Sequence, residues 1–106
     1  MAFVRLVETD RCPPGRGTFV EVAGRELAVF HLTEPQRFAV IDNSCPHASG
    51  NLAAGALEGC IVQCPWHQWE FDVLTGICTR SEAARVATYS VQVRDGWVYA
   101  DLPRPL

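Results

Sequence analysis

The sequence predicts an all-β protein with a small subdomain inserted at about residues 43–79. Over most of the chain, apolar and polar residues alternate, and they do not recur with the 3.6-residue period of an amphipathic helix. Turn-forming glycines and prolines separate the alternating runs. The stretch 43–79 differs from both flanks because it is rich in turn formers and contains most of the cysteines, histidines and tryptophans. We therefore expect an antiparallel base that this stretch interrupts.

Four strands are predicted before the inserted stretch. They are Phe3–Val7, Thr18–Val22, Glu26–Leu32 and Arg37–Asp42. The turn-rich segment Cys12–Gly17 separates the first two strands, and Gly24 closes a tight turn before the third. We expect these segments to form adjacent antiparallel strands.

Shorter strands follow in the inserted stretch, and a hairpin follows it. The short strands are Cys60–Gln63 and Glu70–Val73. Near the end of the chain, Tyr89–Arg94 and Trp97–Asp101 flank Asp95-Gly96, a pair that tolerates the positive φ angles of a two-residue hairpin turn. Helix is predicted nowhere beyond a single turn at Ser81–Val86, with Ser81 as its cap.

Length and charge restrict the classes of function. A chain of 106 residues can bury roughly two-thirds of its unfolded surface, enough for one core, so we expect a single domain over residues 1–106. The net charge is −3, and the nine basic residues are all arginines scattered along the chain, which argues against a nucleic-acid partner. No apolar run is long enough to predict a membrane span, and no export signal is recognisable. We therefore expect a cytoplasmic protein with no membrane partner.

Two motifs combine cysteine with histidine. Cys45-Pro-His47 and Cys64-Pro-Trp-His67 offer two soft thiolates and two imidazoles from two proline-containing loops. The odd count of five cysteines favours reduced thiols or metal ligands over disulfides. A structural zinc site is the alternative, but such sites usually pair cysteines two to four residues apart, whereas each cysteine here is spaced with a histidine.

Together with the segment Glu70-Phe-Asp-Val-Leu-Thr-Gly76, these motifs resemble the Rieske family, and the resemblance extends over about residues 3–102. It implies a β-sandwich base, a cluster-binding subdomain at about 43–79, and one 2Fe-2S cluster near the surface. By the same resemblance, Cys45 and Cys64 bind one iron and His47 and His67 bind the other, with both imidazoles exposed at the tip.

Both loops depart from the respiratory branch of that family. Members of that branch carry an additional cysteine in each loop, joined as a disulfide, where this chain has Gly50 and Trp66. They also have a serine that donates a hydrogen bond to a sulfide where this chain has Trp69. Fewer donors stabilise a reduced cluster less, so we expect a potential on the order of −150 mV, low in the Rieske range.

In these respects the chain is similar to the ferredoxins of bacterial ring-hydroxylating dioxygenase systems. Such a ferredoxin passes electrons transiently from a flavin-dependent ferredoxin reductase to a terminal oxygenase, and it is not catalytic alone. The small subunit of nitrite reductases, whose partner is a sirohaem-containing large subunit, shares the fold and remains the alternative. A zinc-bound interaction module is the third hypothesis.

The remaining cysteines and aromatic residues have ordinary structural interpretations. We expect Cys12, Cys60 and Cys78 to be buried or partly buried thiols without a redox role. His31 lies in a strand pattern and is interpreted as structural. Trp69 is expected to pack against the core and Phe71 to face inward. For Trp66, packing and a part in a docking surface are equally supported by the sequence.

Overall fold

The computed structural model describes residues 2–45, 50–65, 69–81 and 83–103. These residues form ten strands and two single-turn 3-10 helices, the latter at Thr9–Arg11 and Leu52–Ala54. The strands are β1 (Ala2–Glu8), β2 (Gly17–Val22), β3 (Arg25–Thr33), β4 (Gln36–Asp42), β5 (Ala56–Glu58), β6 (Ile61–Gln63), β7 (Glu70–Asp72), β8 (Thr88–Tyr89), β9 (Val91–Arg94) and β10 (Trp97–Leu102). The all-β prediction is confirmed.

Three antiparallel sheets make up the fold. A base sheet has the strand order β1-β10-β9, a central sheet the order β2-β3-β4-β8, and a small sheet the order β5-β6-β7. The base sheet packs on one face of the central sheet through buried residues that include Leu27, Val40 and Val98. This pair of sheets is the sandwich that the sequence resemblance implied.

The small sheet packs on the other face of the central sheet. Phe30 and Ile41 on that face belong to one buried cluster with Val62 and Phe71, which come from β6 and β7. The central strand β3 is consequently buried on both sides, and every residue from Leu27 to Leu32 is inaccessible or nearly so. Two-sided burial explains why this strand reads as an apolar run in the sequence.

The structure corrects one predicted strand and adds one that was not predicted. The single strand predicted over Tyr89–Arg94 is two strands, β8 and β9, that belong to different sheets. The chain changes sheets at Ser90, whose carbonyl oxygen accepts a hydrogen bond from the Asp101 backbone N–H at 2.9 Å. The strand β5 was not predicted.

The predicted turns are confirmed by the backbone angles. Asp95 and Gly96 have φ angles of 52° and 79°, as a two-residue hairpin between β9 and β10 requires. The described residues of the single turn predicted at Ser81–Val86 are not helical, and the Ser81 Oγ accepts a hydrogen bond from the Ala83 N–H at 3.3 Å, as expected of a capping residue. No helix among the described residues is long and apolar enough to cross a membrane.

Gly76 joins the small sheet to the segment that leads back to β8. Its φ angle is 78°, and a Cβ atom at this position would overlap the carbonyl oxygen of Val86. The backbone makes two hydrogen bonds here, from the Gly76 N–H to the Asp72 oxygen at 2.7 Å and from the Val86 N–H to the Gly76 oxygen at 2.8 Å. Only glycine meets both the angular and the steric requirement.

We predict that Gly76→Ala destabilises the fold by about 3 kcal/mol, because the new methyl group adds a clash to the strain of a positive φ angle. The control is Gly15→Ala, where φ is 80° but the space around the site is open. We expect that control to cost only about 1 kcal/mol. Thermal unfolding followed by circular dichroism should show a midpoint roughly 10 °C lower for Gly76→Ala than for Gly15→Ala. Equal midpoints would contradict the steric argument.

Candidate metal centre

The two cysteine-containing loops are built alike. The Cys45 N–H donates a hydrogen bond to the Gly50 oxygen at 2.9 Å, and the Cys64 N–H donates one to the Trp69 oxygen at 2.6 Å. The loops 45–50 and 64–69 therefore have the same length, and each begins with its cysteine. Each also follows directly on an antiparallel backbone pair, Ser44 with Asn51 in the first case and Gln63 with Glu70 in the second. Both cysteines thus occupy equivalent positions next to an antiparallel backbone pair.

Both thiols are buried in the same apolar cluster. The exposed fractions of Cys45 and Cys64 are 1% and 0%, and both residues belong to the cluster between the central and small sheets. None of the five cysteines, all of which lie among the described residues, forms a disulfide. A pair of buried thiols held at the ends of rigid strands suits thiolate ligands of iron, which bind through sulfur and are shielded from water.

Asn43 fixes the first loop to the central sheet. Its side chain is 5% exposed, and its Oδ1 accepts a hydrogen bond from the Ala53 N–H at 2.8 Å. Its backbone oxygen accepts from the Leu52 N–H at 2.9 Å, and its N–H donates to the Glu26 oxygen at 3.0 Å. The two ends of the loop are thereby held together. Sequence reasoning did not single out this residue, because a polar side chain in a turn-rich stretch is usually exposed.

Gly55 brings the two loops side by side. A Cβ atom at Gly55 would overlap the carbonyl oxygen of Gln63, the residue before Cys64. The chain that leaves the first loop therefore lies in direct contact with the strand that enters the second. This close approach requires a residue without a side chain.

A polar network supports the end of β4 from which the first loop departs. The Tyr89 hydroxyl donates a hydrogen bond to Asp42 Oδ1 at 2.6 Å, and Arg25 Nη1 donates one to the Tyr89 oxygen at 3.3 Å. Burial, together with the hydrogen bond and the negative charge of Asp42, raises the pKa of Tyr89 to about 12. No sequence pattern indicates this network, since its three residues are far apart in the chain.

The predicted ligands are only partly within the described residues. Cys45 and Cys64 are brought together in one cluster, whereas His47 and His67 lie outside the described part of the chain, as does Trp66. Within the described part, no group of three or more His, Cys, Asp or Glu side chains could hold a metal ion. The four-ligand set therefore remains a prediction. Trp69 packs against the buried cluster and Phe71 is fully buried, as expected.

The other cysteines and His31 are buried or partly buried. Cys12 and Cys78 are each 2% exposed, and burial raises the pKa of the Cys12 thiol. Burial, followed by the charge of Asp72, also raises the pKa of the partly exposed Cys60. Their burial agrees with the prediction from the sequence, and the raised pKa values disfavour the reactive thiolate form of Cys12 and Cys60. His31 is 7% exposed and bonded through Nδ1 to the Cys12 carbonyl oxygen at 2.7 Å, and its ring stacks on Phe38.

Fold and loops together describe a class of protein, a small β-sandwich in which two buried cysteines each begin a loop closed by a backbone hydrogen bond. Residues 2–90 match the family model of the Rieske [2Fe-2S] domain. The chain belongs to the Rieske family, and the family implies one 2Fe-2S cluster as its cofactor. The buried pair of thiols fits that cofactor.

The chain matches one relative of about its own length and one that is much longer. It is 36% identical over 101 residues to the ferredoxin component of the naphthalene 1,2-dioxygenase system of Pseudomonas aeruginosa, a match that covers 94% of this chain and 95% of that protein. It is also 36% identical over 77 residues to the cholesterol 7-desaturase of Xenopus laevis, but there the match covers 72% of this chain and 17% of the relative.

Solved structures show the same fold. A chain from the complex of reduced oxygenase and oxidized ferredoxin in carbazole 1,9a-dioxygenase is 26% identical, with a TM-score of 0.83 and coverage of 98% of this chain and 96% of that one. A protein assigned as the small subunit of an NADH-dependent nitrite reductase from Mycobacterium tuberculosis is 22% identical, with a TM-score of 0.85 and coverage of 93% of both chains. At that identity, the second likeness is one of fold alone.

The network at Tyr89 predicts how stability depends on pH. The pKa of Tyr89 in the folded protein, about 12, lies above its ordinary value of 10.0. The protonated Tyr89 hydroxyl therefore contributes fully to the stability of the fold below pH 10, and this contribution is lost as the pH rises through 12. We expect Tyr89→Phe to flatten the alkaline decline of the thermal midpoint between these pH values, although it lowers the midpoint at pH 8. Tyr99→Phe, which removes the other tyrosine hydroxyl, should leave the decline as steep as in the unmodified protein.

Proposed function

We propose that the protein is a Rieske-type ferredoxin that carries single electrons between a flavin-dependent ferredoxin reductase and a terminal oxygenase, and that it is not an enzyme by itself. The observation that carries this proposal is the matched pair of loops, each of which begins with a buried cysteine and includes a histidine. The match over 95% of the length of a dioxygenase ferredoxin component supports the same assignment.

In this proposal, residues 43–79 form the cluster-binding part of a single domain. Cys45 and Cys64 would bind one iron through sulfur, and His47 and His67 would bind the other through imidazole nitrogen. When bound, the cluster supplies one-electron oxidation and reduction at a potential set by its ligands and their surroundings.

The residues of the chain contribute rigidity and exclusion of water. The hydrogen bonds that close both loops, with those of Asn43, tie the cysteines to strands that are themselves buried. Because ligands held in this way rearrange little, little energy is needed to reorganise the site when the cluster gains or loses an electron. Burial of both sulfur atoms excludes water from the thiolate side, where solvent would otherwise compete for the ligands.

A carrier must exchange partners quickly, so we expect its interfaces with the reductase and the oxygenase to be smaller than a standard stable interface. The structure of a ferredoxin in complex with an oxygenase supports the oxygenase as one partner class. The nitrite reductase small subunit is the second candidate function, favoured only by the likeness of fold. Cysteines that form no disulfide fit a reducing compartment, and we place the protein in the cytoplasm.

Substitution of the proposed ligands tests the site. We expect Cys45→Ser and Cys64→Ser to lower the iron and acid-labile sulfide content from about two of each per chain to less than roughly a tenth of that. Cys78→Ala is the matched control, because Cys78 is buried in the same cluster but is not a proposed ligand. Its iron content should stay at the level of the unmodified protein.

Substitution of a proposed histidine ligand is tested by the midpoint potential. His67→Cys should lower the midpoint potential of whatever loaded protein is recovered, because thiolate donates more charge to iron than imidazole does. An unchanged potential in loaded protein would remove His67 from the ligand set. Zinc in place of iron in protein purified from its native cell would support the interaction module instead.

The midpoint potential tests the assignment to the dioxygenase type. We expect a value on the order of −150 mV, because no serine stands at position 69 to donate a hydrogen bond to the cluster. Redox titration followed by electron paramagnetic resonance measures it. A value above roughly +100 mV would contradict the argument, since it would require the donors found in the respiratory branch. Recovery of a sirohaem protein, and not a flavoprotein and an oxygenase, in a pull-down from the native cell would favour the nitrite reductase alternative.

A further inference from the structure

The outer face of the base sheet carries an ordered group of aromatic and arginine side chains. In the register of this sheet, Arg5 on β1 lies opposite Tyr99 on β10, and Trp97 on β10 lies opposite Arg94 on β9. Side chains that lie opposite each other in neighbouring strands share a face. The alternate residues of β10, including Val98, point the other way into the sandwich core. We call these four outward residues the arginine-aromatic face.

Each arginine of this face stacks on an aromatic ring of the neighbouring strand. The guanidinium carbon of Arg5 lies 4.4 Å from the ring centroid of Trp97, and that of Arg94 lies 4.3 Å from the centroid of Tyr99. Both arginines are exposed. A guanidinium within about 6 Å of a ring centroid is attracted by the ring and still has N–H groups that can donate to a second partner. Two sets of donors are thus held near the rings before any ligand arrives.

No carboxylate of the described residues neutralises these two charges by an ion pair. A salt bridge among the described residues joins Arg11 to Glu8 at 3.8 Å. The carboxylate at one end of the face is therefore already paired with another arginine. At the other end, Asp101 lies opposite Phe3, and its Oδ1 atom is buried without a hydrogen-bond partner. The two guanidinium groups between these ends are therefore available to an external acceptor.

We propose that the arginine-aromatic face binds a carboxylate-rich segment of a partner protein. The planar donor fork of arginine matches the two oxygens of a carboxylate, and Trp, Tyr and Arg are the residue types that dominate binding energy at protein interfaces. The chain as a whole carries a charge of −3, so two arginines without a carboxylate partner on one face can orient an acidic partner toward that face. Charge complementarity therefore selects an acidic partner.

The arginine-aromatic face lies on the side of the central sheet opposite the two proposed ligand cysteines. The central sheet stands between the base sheet and the cluster that contains Cys45 and Cys64, because those cysteines pack on its opposite side. A partner bound to the base sheet leaves both cysteine loops accessible. The contact can therefore hold the carrier near one component of its system while the loops exchange electrons with another.

The test uses the cluster-loaded protein and a hexaglutamate peptide as the acidic probe. In ¹H–¹⁵N correlation spectra at low ionic strength, we expect saturable shifts confined to β1, β9 and β10, including the indole N–H of Trp97. The double variant Arg5→Gln/Arg94→Gln should lose about fivefold in affinity, as expected for two exposed ion pairs. The control Arg16→Gln/Arg80→Gln has the same change in net charge at exposed arginines elsewhere and should bind as the unmodified protein does.

A further double variant distinguishes recognition by the arginine side chains from attraction by positive charge alone. Arg5→Lys/Arg94→Lys keeps both charges but removes the stacked fork, so its affinity should fall between those of the unmodified protein and the glutamine variant.

Three results would overturn the proposal: no saturable shift with the peptide, an equal loss of affinity in the Arg16 and Arg80 control, or the same shifts with inorganic phosphate at equal ionic strength. Shifts of the same amides with protein concentration alone would identify a second copy of the chain as the occupant and would also overturn it. Failure of the ferredoxin assignment is separate, since it would appear as missing iron.

Discussion

The burial of the central sheet on both faces is the constraint on which the rest of the structure depends. Residues Leu27 to Leu32 of β3 are inaccessible because the base sheet covers one side and the small sheet the other. Burial of each large apolar side chain contributes about 1.5–3 kcal/mol, so neither outer layer can leave without exposing a complete face of the sheet. A chain of this size thereby gains two buried clusters from one shared sheet.

This constraint also positions the cysteine loops. The first loop departs from the end of β4 in the central sheet, and the second joins β6 to β7 in the small sheet. Packing of the small sheet on the central sheet therefore brings the two thiols into a single cluster. The backbone bonds that close the loops, and the side chain of Asn43, then fix the cysteines relative to strands that cannot move independently. The position of the cysteines is a consequence of the core and not of the loops alone.

The layered arrangement gives the molecule two separate outer surfaces. One belongs to the small sheet and the loops, where the proposed redox chemistry takes place. The other is the outer face of the base sheet, where two arginines stack on aromatic rings. Because a buried sheet lies between them, a contact at one surface does not cover the other. An electron carrier with more than one partner benefits from this division, since one contact can persist while another turns over.

The sequence by itself determined the features that depend on neighbouring residues. These are the alternating strands, the Asp95-Gly96 hairpin and the paired Cys-Pro motifs that carry the family assignment. The tertiary structure alone decided where distant segments meet: the change of sheet at Ser90, the anchoring of the first loop by Asn43, and the Asp42–Tyr89–Arg25 network. It also placed Arg5 over Trp97, residues at opposite ends of the chain. The physical reason is that local propensities act over a few residues, whereas these contacts depend on sheet register and packing, which the whole chain sets together.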